Sequence, residues 1–367
     1  MGFLKSKRTS RSHRLPSGNS LHHETQNAVV GYERSGGSAD SRLSSINAPD
    51  QSFPDGVEVL RDCHDALVDI CFVHGLTGNR NSTWTARGQS EPWPKTLLPK
   101  NLGKARIITY GYDAYFVRKS VASQNGLSEH ARNFLSDLTT DRDLSNASSR
   151  PLLLVAHSLG GLICKEAILL SRNNPEEHLK AMFHCTKGIL FMGTPHRGSW
   201  MADWASIPAW ALGTVKSTNN YLLQVLKTND RHLKSVQDNF WSMIREQQNN
   251  GRDIKVTCFF EELAMPVLGK EVVPKDSATL EGYHALSIHA NHSDMVKFSS
   301  ADDNGYRRVL GELDRWYKRI KDPDTHQVSQ PMSQGRAREH ASFSFHNSGS
   351  GDMFNAPGGT VNNWQRP

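Results

Sequence analysis

The stretch PLLLVAHSLGGLICKEAILL, from Pro151 to Leu170, decides the fold of this chain. It begins with four consecutive apolar residues, Leu152 to Val155, which are typical of a strand buried on both faces in a parallel sheet. Apolar side chains then recur at the spacing of a helix, at Leu162, Ile163, Ile168 and Leu169. The pattern predicts a strand that runs directly into a helix.

The turn between this strand and this helix reads AHSLGG, from Ala156 to Gly161. It fits the nucleophile-elbow pattern G-x-S-x-G, with alanine in place of the first glycine. Such a turn is so sharp that its flanking positions tolerate almost no side chain, and alanine is the smallest departure from glycine. The pattern predicts Ser158 as a catalytic nucleophile. The alternative is a structural serine in an ordinary strand-to-helix turn.

Length and composition indicate one intracellular domain with tails. A chain of 367 residues with 37% hydrophobic content can form one α/β domain of about 250 residues with a full core. The five cysteines are odd in number and widely spaced, as expected for reduced core residues and not for disulfides or a zinc site. No apolar stretch reaches the roughly 18 residues that a membrane-spanning helix needs, and the polar start lacks the apolar core of a secretory signal.

Residues 1–55 are expected to form a disordered basic arm, because they contain few large apolar side chains. Five basic residues and no acid fall within the first twenty: Lys5, Lys7, Arg8, Arg11 and Arg14. This cluster favours an anionic membrane surface over nucleic acid, since no nucleic-acid motif accompanies it. The opening MGFLKS also fits the myristoylation pattern on Gly2, and the basic cluster would supply the second anchoring signal.

From residue 56 to about residue 322 the composition is that of a globular domain, and strand-like runs alternate with helical patterns. The predicted strands besides the one before Ser158 are Val68–Val73, Ala105–Tyr110, Gly188–Met192 and Ile254–Phe260, and a helix is predicted over residues 120–138. This alternation predicts a mainly parallel sheet with helices on both faces.

Two further regions stand apart from this alternation. Residues 199–247 are helical in pattern and rich in tryptophan, so they either pack as core or form a lid with an apolar trough for an acyl chain. Residues 323–367 are again polar and low in large apolar side chains, which predicts a disordered tail.

A serine nucleophile needs a base and an acid, and in this architecture both follow the serine, the acid first. The acid should end a late strand, where Glu261 and Glu262 stand; Asp276 is the alternative if the next loop folds back. The base should lie in the following loop, where the candidates are His284, His289 and His292. Spacing alone does not choose among them.

The oxyanion formed during attack on an ester needs two backbone N–H donors. One is expected from Leu159, directly after the nucleophile. The other is expected from Leu76, in the loop that follows Val68–Val73, where Gly75 lets the backbone turn inward.

Seven motifs occur in order along the chain: FVHGLTG, RIITYGYDA, LLLVAHSLGG, ILFMGTPHRGS, FFEEL, VVPKDSA and NHSDMVKF. Over about residues 66–300 this order resembles the lipase-like α/β-hydrolases related to GPI-inositol deacylases and SERAC-type proteins. The resemblance implies the α/β-hydrolase fold, with Ser158 as nucleophile, Glu261 as acid and His292 as base. It implies a reaction that needs no metal or organic cofactor.

The tail carries a second resemblance. Residues 345–364, FHNSGSGDMFNAPGGTVNNW, are similar to the sigma-type amyloid motifs of fungal effectors encoded beside NOD-like receptors. Low charge and many asparagines suit the stacking of identical segments, whereas Pro357 and the glycines favour turns in a β-solenoid. Composition alone is also typical of a flexible tail.

Together the two resemblances imply a cytoplasmic serine esterase or lipase similar to the fungal SesB-like effectors. A receptor would template the tail, and self-assembly would recruit the hydrolase to a membrane, where it would act in cell death or incompatibility. The alternative is a signalling adaptor that uses the hydrolase fold as an interaction or membrane-binding platform without turnover.

Overall fold

The strand that precedes Ser158, Leu152–His157 (β4), lies in the middle of a seven-stranded sheet in the computed structural model of the protein. The strand order is β1-β3-β2-β4-β5-β6-β7, and every neighbouring pair is parallel except β1 with β3. The other strands are Gly56–Arg61 (β1), Val68–Val73 (β2), Ala105–Gly111 (β3), Thr186–Met192 (β5), Lys255–Glu261 (β6) and His284–Ile288 (β7).

The structure describes residues 54–76, 78–112, 126–196, 230–266 and 268–322. Its helices are Trp93–Thr96 (α1), Gly126–Leu144 (α2), Leu159–Arg172 (α3), Glu177–Cys185 (α4), Asp230–Asn249 (α5), Lys275–Ala278 (α6) and Asn304–Lys321 (α7). No helix within these ranges is both long and apolar enough to cross a bilayer. Three predicted regions lie outside the described residues: residues 1–53 of the basic arm, which include Gly2, residues 199–229 of the insertion, and the motif at residues 345–364.

Successive strand residues enter two separate cores, one on each face of the sheet. Cys71 and Leu154 belong to a cluster completed by α2, α3 and α5. Their neighbours Phe72 and Leu153 belong to a second cluster completed by α7. This alternation follows from the two-residue period of a strand, and it explains why the central strands are apolar at most positions. The mainly parallel sheet with helices on both faces confirms the predicted α/β-hydrolase fold.

The structure refines two of the predicted helical regions, the extent of the first and the packing of the second. The helix predicted over residues 120–138 runs to Leu144, because its last turns still bury Thr139 and Arg142. The described end of the predicted insertion is α5, which buries an apolar face. For this described part of the insertion the structure favours packing as core over an exposed lid.

A buried ion cluster lies where β2 begins, at the sheet edge opposite Ser158. The side chain of Asp69 is fully buried and accepts hydrogen bonds from Arg142 Nη1 at 2.7 Å and Arg150 Nη1 at 2.8 Å. Arg106 Nη1 lies 3.9 Å from the same carboxylate. One carboxylate thus compensates guanidinium groups from β3, from α2 and from the loop before β4.

Replacing Asp69 by asparagine is expected to lower the free energy of unfolding by about 3 kcal/mol, because it leaves the buried charge of Arg142 uncompensated, whereas Arg106 keeps its ion pair with Asp141 at 2.8 Å. Urea unfolding followed by circular dichroism measures the loss. Asp65→Asn is the matched control, since Asp65 pairs with Lys104 at 2.9 Å with both side chains largely exposed, and it should leave the unfolding midpoint unchanged. Equal midpoints for both variants would contradict the assignment.

Candidate active site

Ser158 occupies the single residue between β4 and α3, and its backbone is strained. Its φ of 52° and ψ of −122° fall outside the regions that residues with a side chain ordinarily adopt. The Ser158 N–H donates to the carbonyl oxygen of Met192, at the end of β5, at 2.9 Å. This sharp connection at the carboxyl edge of the sheet is the geometry that the elbow pattern predicts.

The two glycines after Leu159 allow helix α3 to start against neighbouring loops. A methyl group at Gly160 would lie 2.4 Å from the carbonyl oxygen of His74, and one at Gly161 would lie 2.2 Å from Thr194 Oγ1. Both distances are shorter than any van der Waals contact. Glycine at both positions therefore lets the elbow pack closely between the loop after β2 and the loop after β5.

The loop after β2 lies directly against Ser158. A methyl group at Gly75 would approach Ser158 Cβ to 2.9 Å, and the side chains of Leu76 and Leu159 are both buried. The structure thus brings both residues predicted to form the oxyanion hole to the elbow. Their N–H groups as oxyanion donors stay a prediction.

Tyr112 fixes this loop through His74. The two rings stack with centroids 4.3 Å apart, Tyr112 N–H donates to His74 Nε2 at 3.2 Å, and the Tyr112 hydroxyl donates to the His74 carbonyl at 3.0 Å. His74 Nδ1 donates to the carbonyl of Gly75 at 2.6 Å. Burial lowers the pKa of His74 to about 4. The neutral ring therefore holds the loop as both a donor and an acceptor.

Folding stability is expected to fall as the pH drops from 7.5 to 5. Below about pH 6.5 His74 takes up a proton in the unfolded chain, but in the folded protein only near pH 4, so its stabilising contribution is complete above pH 6.5 and is lost toward pH 4. The full contribution is on the order of 3 kcal/mol. Burial also holds the pKa of His157 well below its usual range, which acts in the same direction. Urea titrations at several pH values measure the loss.

Two histidine-to-glutamine variants test the role of His74 in this pH dependence, one at His74 itself and one at an exposed histidine as the control. His74→Gln should reduce the dependence between pH 7.5 and 5 and leave the part due to His157, whereas His289→Gln, which changes an exposed side chain, should leave it as in wild type. A wild-type protein equally stable at pH 7.5 and 5 would rule out this role for the buried histidines.

Glu261 and His292 form a buried pair at the end of β6. His292 Nδ1 lies 2.6 Å from Glu261 Oε2, and both side chains are almost completely buried. The other oxygen, Glu261 Oε1, accepts from the backbone N–H of Val272 and from that of Val273, the latter at 3.2 Å. Because Nδ1–H donates to the carboxylate, Nε2 is the nitrogen that can accept a proton.

The remaining candidate acids and bases lie elsewhere on the surface. Glu262 bonds to the exposed His289, with 2.8 Å between Oε2 and Nδ1. His284 is also exposed, and its Nδ1 lies 3.1 Å from Glu312 Oε1. Asp276 is exposed in the short helix α6. Of the candidates that spacing left open, the structure joins Glu261 and His292 as a buried acid–base pair.

His157, which sequence reasoning did not single out, connects this pair to the elbow. Its ring packs on the ring of His292 with centroids 4.8 Å apart, and its Nε2–H donates to the His292 carbonyl at 3.1 Å. Since His157 directly precedes Ser158, these contacts hold His292 at the same sheet edge as the serine. Its position inside the elbow motif was the signal that could have identified it.

The hydroxyl of Ser158 is buried and makes no hydrogen bond to any residue that the structure describes. Such a group lacks the partner that most buried polar atoms have. Nucleophilic acyl transfer by a serine needs an available hydroxyl, a base–acid pair such as His–Glu and an adjacent backbone loop. All three components occur here. Within the described ranges, no group of three His, Cys, Asp or Glu side chains is arranged to hold a metal ion.

Comparison with family profiles gives two matches. The family described as "Putative serine esterase (DUF676)" matches residues 67–256, which is more than half of the chain. The matched span includes the elbow and ends before Glu261 and His292. A second profile, "Sigma domain on NACHT-NTPases", matches residues 342–364, which overlap the predicted amyloid motif in the tail.

Curated relatives include Protein SERAC1 from Danio rerio, which is 28% identical over 286 residues, and Protein SERAC1 from Homo sapiens, which is 25% identical over 291 residues. Each alignment covers 71% of this chain and 41% of the relative, so the chain spans about two fifths of the relatives' length. Among solved structures, the lipase-esterase related protein from Clostridium acetobutylicum ATCC 824 aligns with 71% of this chain and 98% of its own, at 14% identity and a TM-score of 0.37.

Proposed function

The chain belongs to the family described as "Putative serine esterase (DUF676)", and we propose that it hydrolyses carboxylic esters, those of lipids in particular, with Ser158 as the nucleophile. The observation that carries this proposal is the buried Glu261–His292 pair, held through His157 beside a serine whose hydroxyl makes no hydrogen bond to a described residue. A structural serine in an ordinary turn needs neither the strained backbone nor this neighbouring pair.

In the proposed reaction, His292 Nε2 accepts the proton of the Ser158 hydroxyl as its oxygen attacks the ester carbonyl. The backbone N–H groups of Leu76 and Leu159 hold the developing oxyanion. The alcohol leaves with the proton from His292, and a water molecule then releases the acyl group by the same steps. Glu261 keeps the imidazole in the required tautomer and stabilises its positive charge.

A lipid ester is proposed because residues 199–229, which continue the chain from the loop beside the elbow, are rich in tryptophan and leucine. Apolar side chains of this kind suit an acyl chain. The basic arm and an acyl group on Gly2 would bring a cytoplasmic protein to an anionic membrane, where such substrates lie.

We also propose that the tail controls where the hydrolase acts. The match of residues 342–364 to a domain found on NACHT-NTPases supports pairing between this tail and the same motif on a NOD-like receptor. Templated assembly would then collect hydrolase domains at a membrane as a cell-death or incompatibility effector. A peptide of residues 340–367 should form thioflavin-positive fibrils that seed its own conversion. A peptide that stays monomeric after seeding would contradict this part.

The proposed activity is tested by reacting the full chain with a fluorophosphonate probe and mapping the adduct by mass spectrometry. An adduct on the peptide that contains Ser158, together with hydrolysis of p-nitrophenyl esters, is expected. A folded protein that neither reacts nor hydrolyses such esters would favour the adaptor that uses the fold as a platform. An adduct on another serine would overturn the assignment of the nucleophile.

A further inference from the structure

A fully buried amine lies seven residues along the helix that follows the elbow. Lys165 of α3 has no exposed surface, whereas lysine is almost never fully buried without partners. Its Nζ lies 2.6 Å from His196 Nδ1 and 2.5 Å from Gln237 Oε1. Three aromatic rings surround the amine with centroids 4.9 to 5.6 Å away: Phe191, Phe240 and Trp241.

The two polar partners of Lys165 belong to different segments. His196 lies in the loop after β5, and Gln237 lies in α5, on the other side of residues 197–229 in the chain. The two segments are also bonded to each other, because Gln237 Nε2 donates to the carbonyl of Pro195 at 2.9 Å. The Lys165 amine in α3 therefore binds a side chain from each of the two segments.

The loop after β5, which contains His196, forms one wall of the candidate site. A methyl group at Gly193 would lie 2.9 Å from His292 Cε1, and Gly193 N–H donates to the carbonyl of Phe259 at 2.8 Å. The next residue, Thr194, packs on Gly161 of the elbow. Residues 193–196 thus contact both the elbow and the His292 ring, so a shift of this loop would change the place of the ring relative to Ser158.

We propose that Lys165 is a positioning residue for the hydrolase site. By donating to His196 and Gln237, Lys165 holds residues 193–196 against the His292 ring. This inference rests on the proposed function, since it assigns His292 the role of base.

Protonation does not remove these contacts. Burial holds the pKa of Lys165 well below its usual range, yet the neutral amine and the ammonium group each have the two N–H donors that His196 Nδ1 and Gln237 Oε1 accept. His196 Nε2 then carries a proton and faces Cys258 Sγ at 3.4 Å. Burial raises the pKa of this thiol to about 12, so the sulfur is uncharged.

The test compares Lys165→Met with wild type in hydrolysis of p-nitrophenyl butyrate, because methionine keeps an apolar chain of similar reach and lacks the donors. Misplacing the base should lower kcat about tenfold, with KM within about twofold, and shift the pH at which the rate is half-maximal. Lys275→Met is the matched control: this lysine is exposed and also lies over an aromatic ring, that of Phe260 at 5.0 Å. It should leave kcat, KM and the pH profile unchanged.

A second variant, Gln237→Leu, removes one acceptor of the amine and should lower kcat in the same direction by a smaller factor. It decides the question if Lys165→Met does not fold. Folded variants with wild-type kcat and pH profile, or with only a lower melting temperature, would overturn the positioning role. Failure of the proposed function looks different, since the wild-type protein itself would then neither hydrolyse the ester nor react with the probe at Ser158.

Discussion

Ser158→Ala is expected to lower kcat for ester hydrolysis about 10⁶-fold and to abolish reaction with the fluorophosphonate probe. Loss of the hydroxyl removes the atom that would form the acyl intermediate, and only binding and oxyanion stabilisation would remain. Initial rates on p-nitrophenyl butyrate, measured at enzyme concentrations high enough to detect the residual activity, give the size of the effect.

This variant should keep its fold, which makes the kinetic loss interpretable. Alanine retains the Cβ atom that faces Gly75, and the removed hydroxyl makes no hydrogen bond to a described residue. A buried hydroxyl without a partner costs folding free energy, so the melting temperature should stay the same or rise. Ser128→Ala, which removes a hydroxyl from α2, is the control for general serine loss and should retain activity. Undiminished turnover by Ser158→Ala would refute the assignment.

The five central strands and the elbow were predictable because their signals are local, whereas β1 was not predicted and His284, expected in a loop, begins β7. Leu152–Val155 is apolar at every position since the strand is buried on both faces, and glycines follow the serine because a helix begins against two loops there. The same reasoning placed β2, β3, β5 and β6 to within two residues at each end. Helix α2 was harder, because polar side chains such as Arg142 point inward in its last turns and end the apolar pattern early.

The acid illustrates what local signals cannot decide. Glu261 and Glu262 are chemically identical neighbours, and adjacent residues at the end of a strand point to opposite sides. Which one faces inward depends on the register of β6 against β7, where Glu261 pairs with Ile288. Spacing left both open, and the family resemblance pointed to Glu261.

Contacts between segments that are far apart in the chain also could not be predicted from the sequence. Lys165 and His157 stand in apolar surroundings in the sequence, but their partners His196, Gln237 and His292 come from other elements. A lysine inside a mainly apolar helix was the available signal, because such a charge is costly to bury unless another group binds it. Only the fold shows that the partner loop also contacts the His292 ring.

Glu261→Gln is expected to lower kcat about 10⁴-fold with little change in folding stability. The amide oxygen can still accept from the backbone N–H groups of Val272 and Val273, which now bond to Glu261 Oε1. The amide nitrogen would then face His292 Nδ1 as a donor and place the imidazole proton on Nε2. In that tautomer the ring cannot take the proton of Ser158, so the chemical step fails although the site stays packed.

Glu262→Gln is the matched control, because it makes the same chemical change at the next residue. Glu262 faces solvent and pairs with the exposed His289, so its loss should change kcat by less than about twofold. Rates for both variants on one p-nitrophenyl ester, with melting temperatures measured in parallel, separate the two glutamates. A large loss in Glu262→Gln together with near-normal turnover in Glu261→Gln would reverse the assignment. Large losses in both would mean that the surface pair also supports the site, for which the geometry gives no reason, since Glu262 pairs with the exposed His289 and Glu261 pairs with the buried His292.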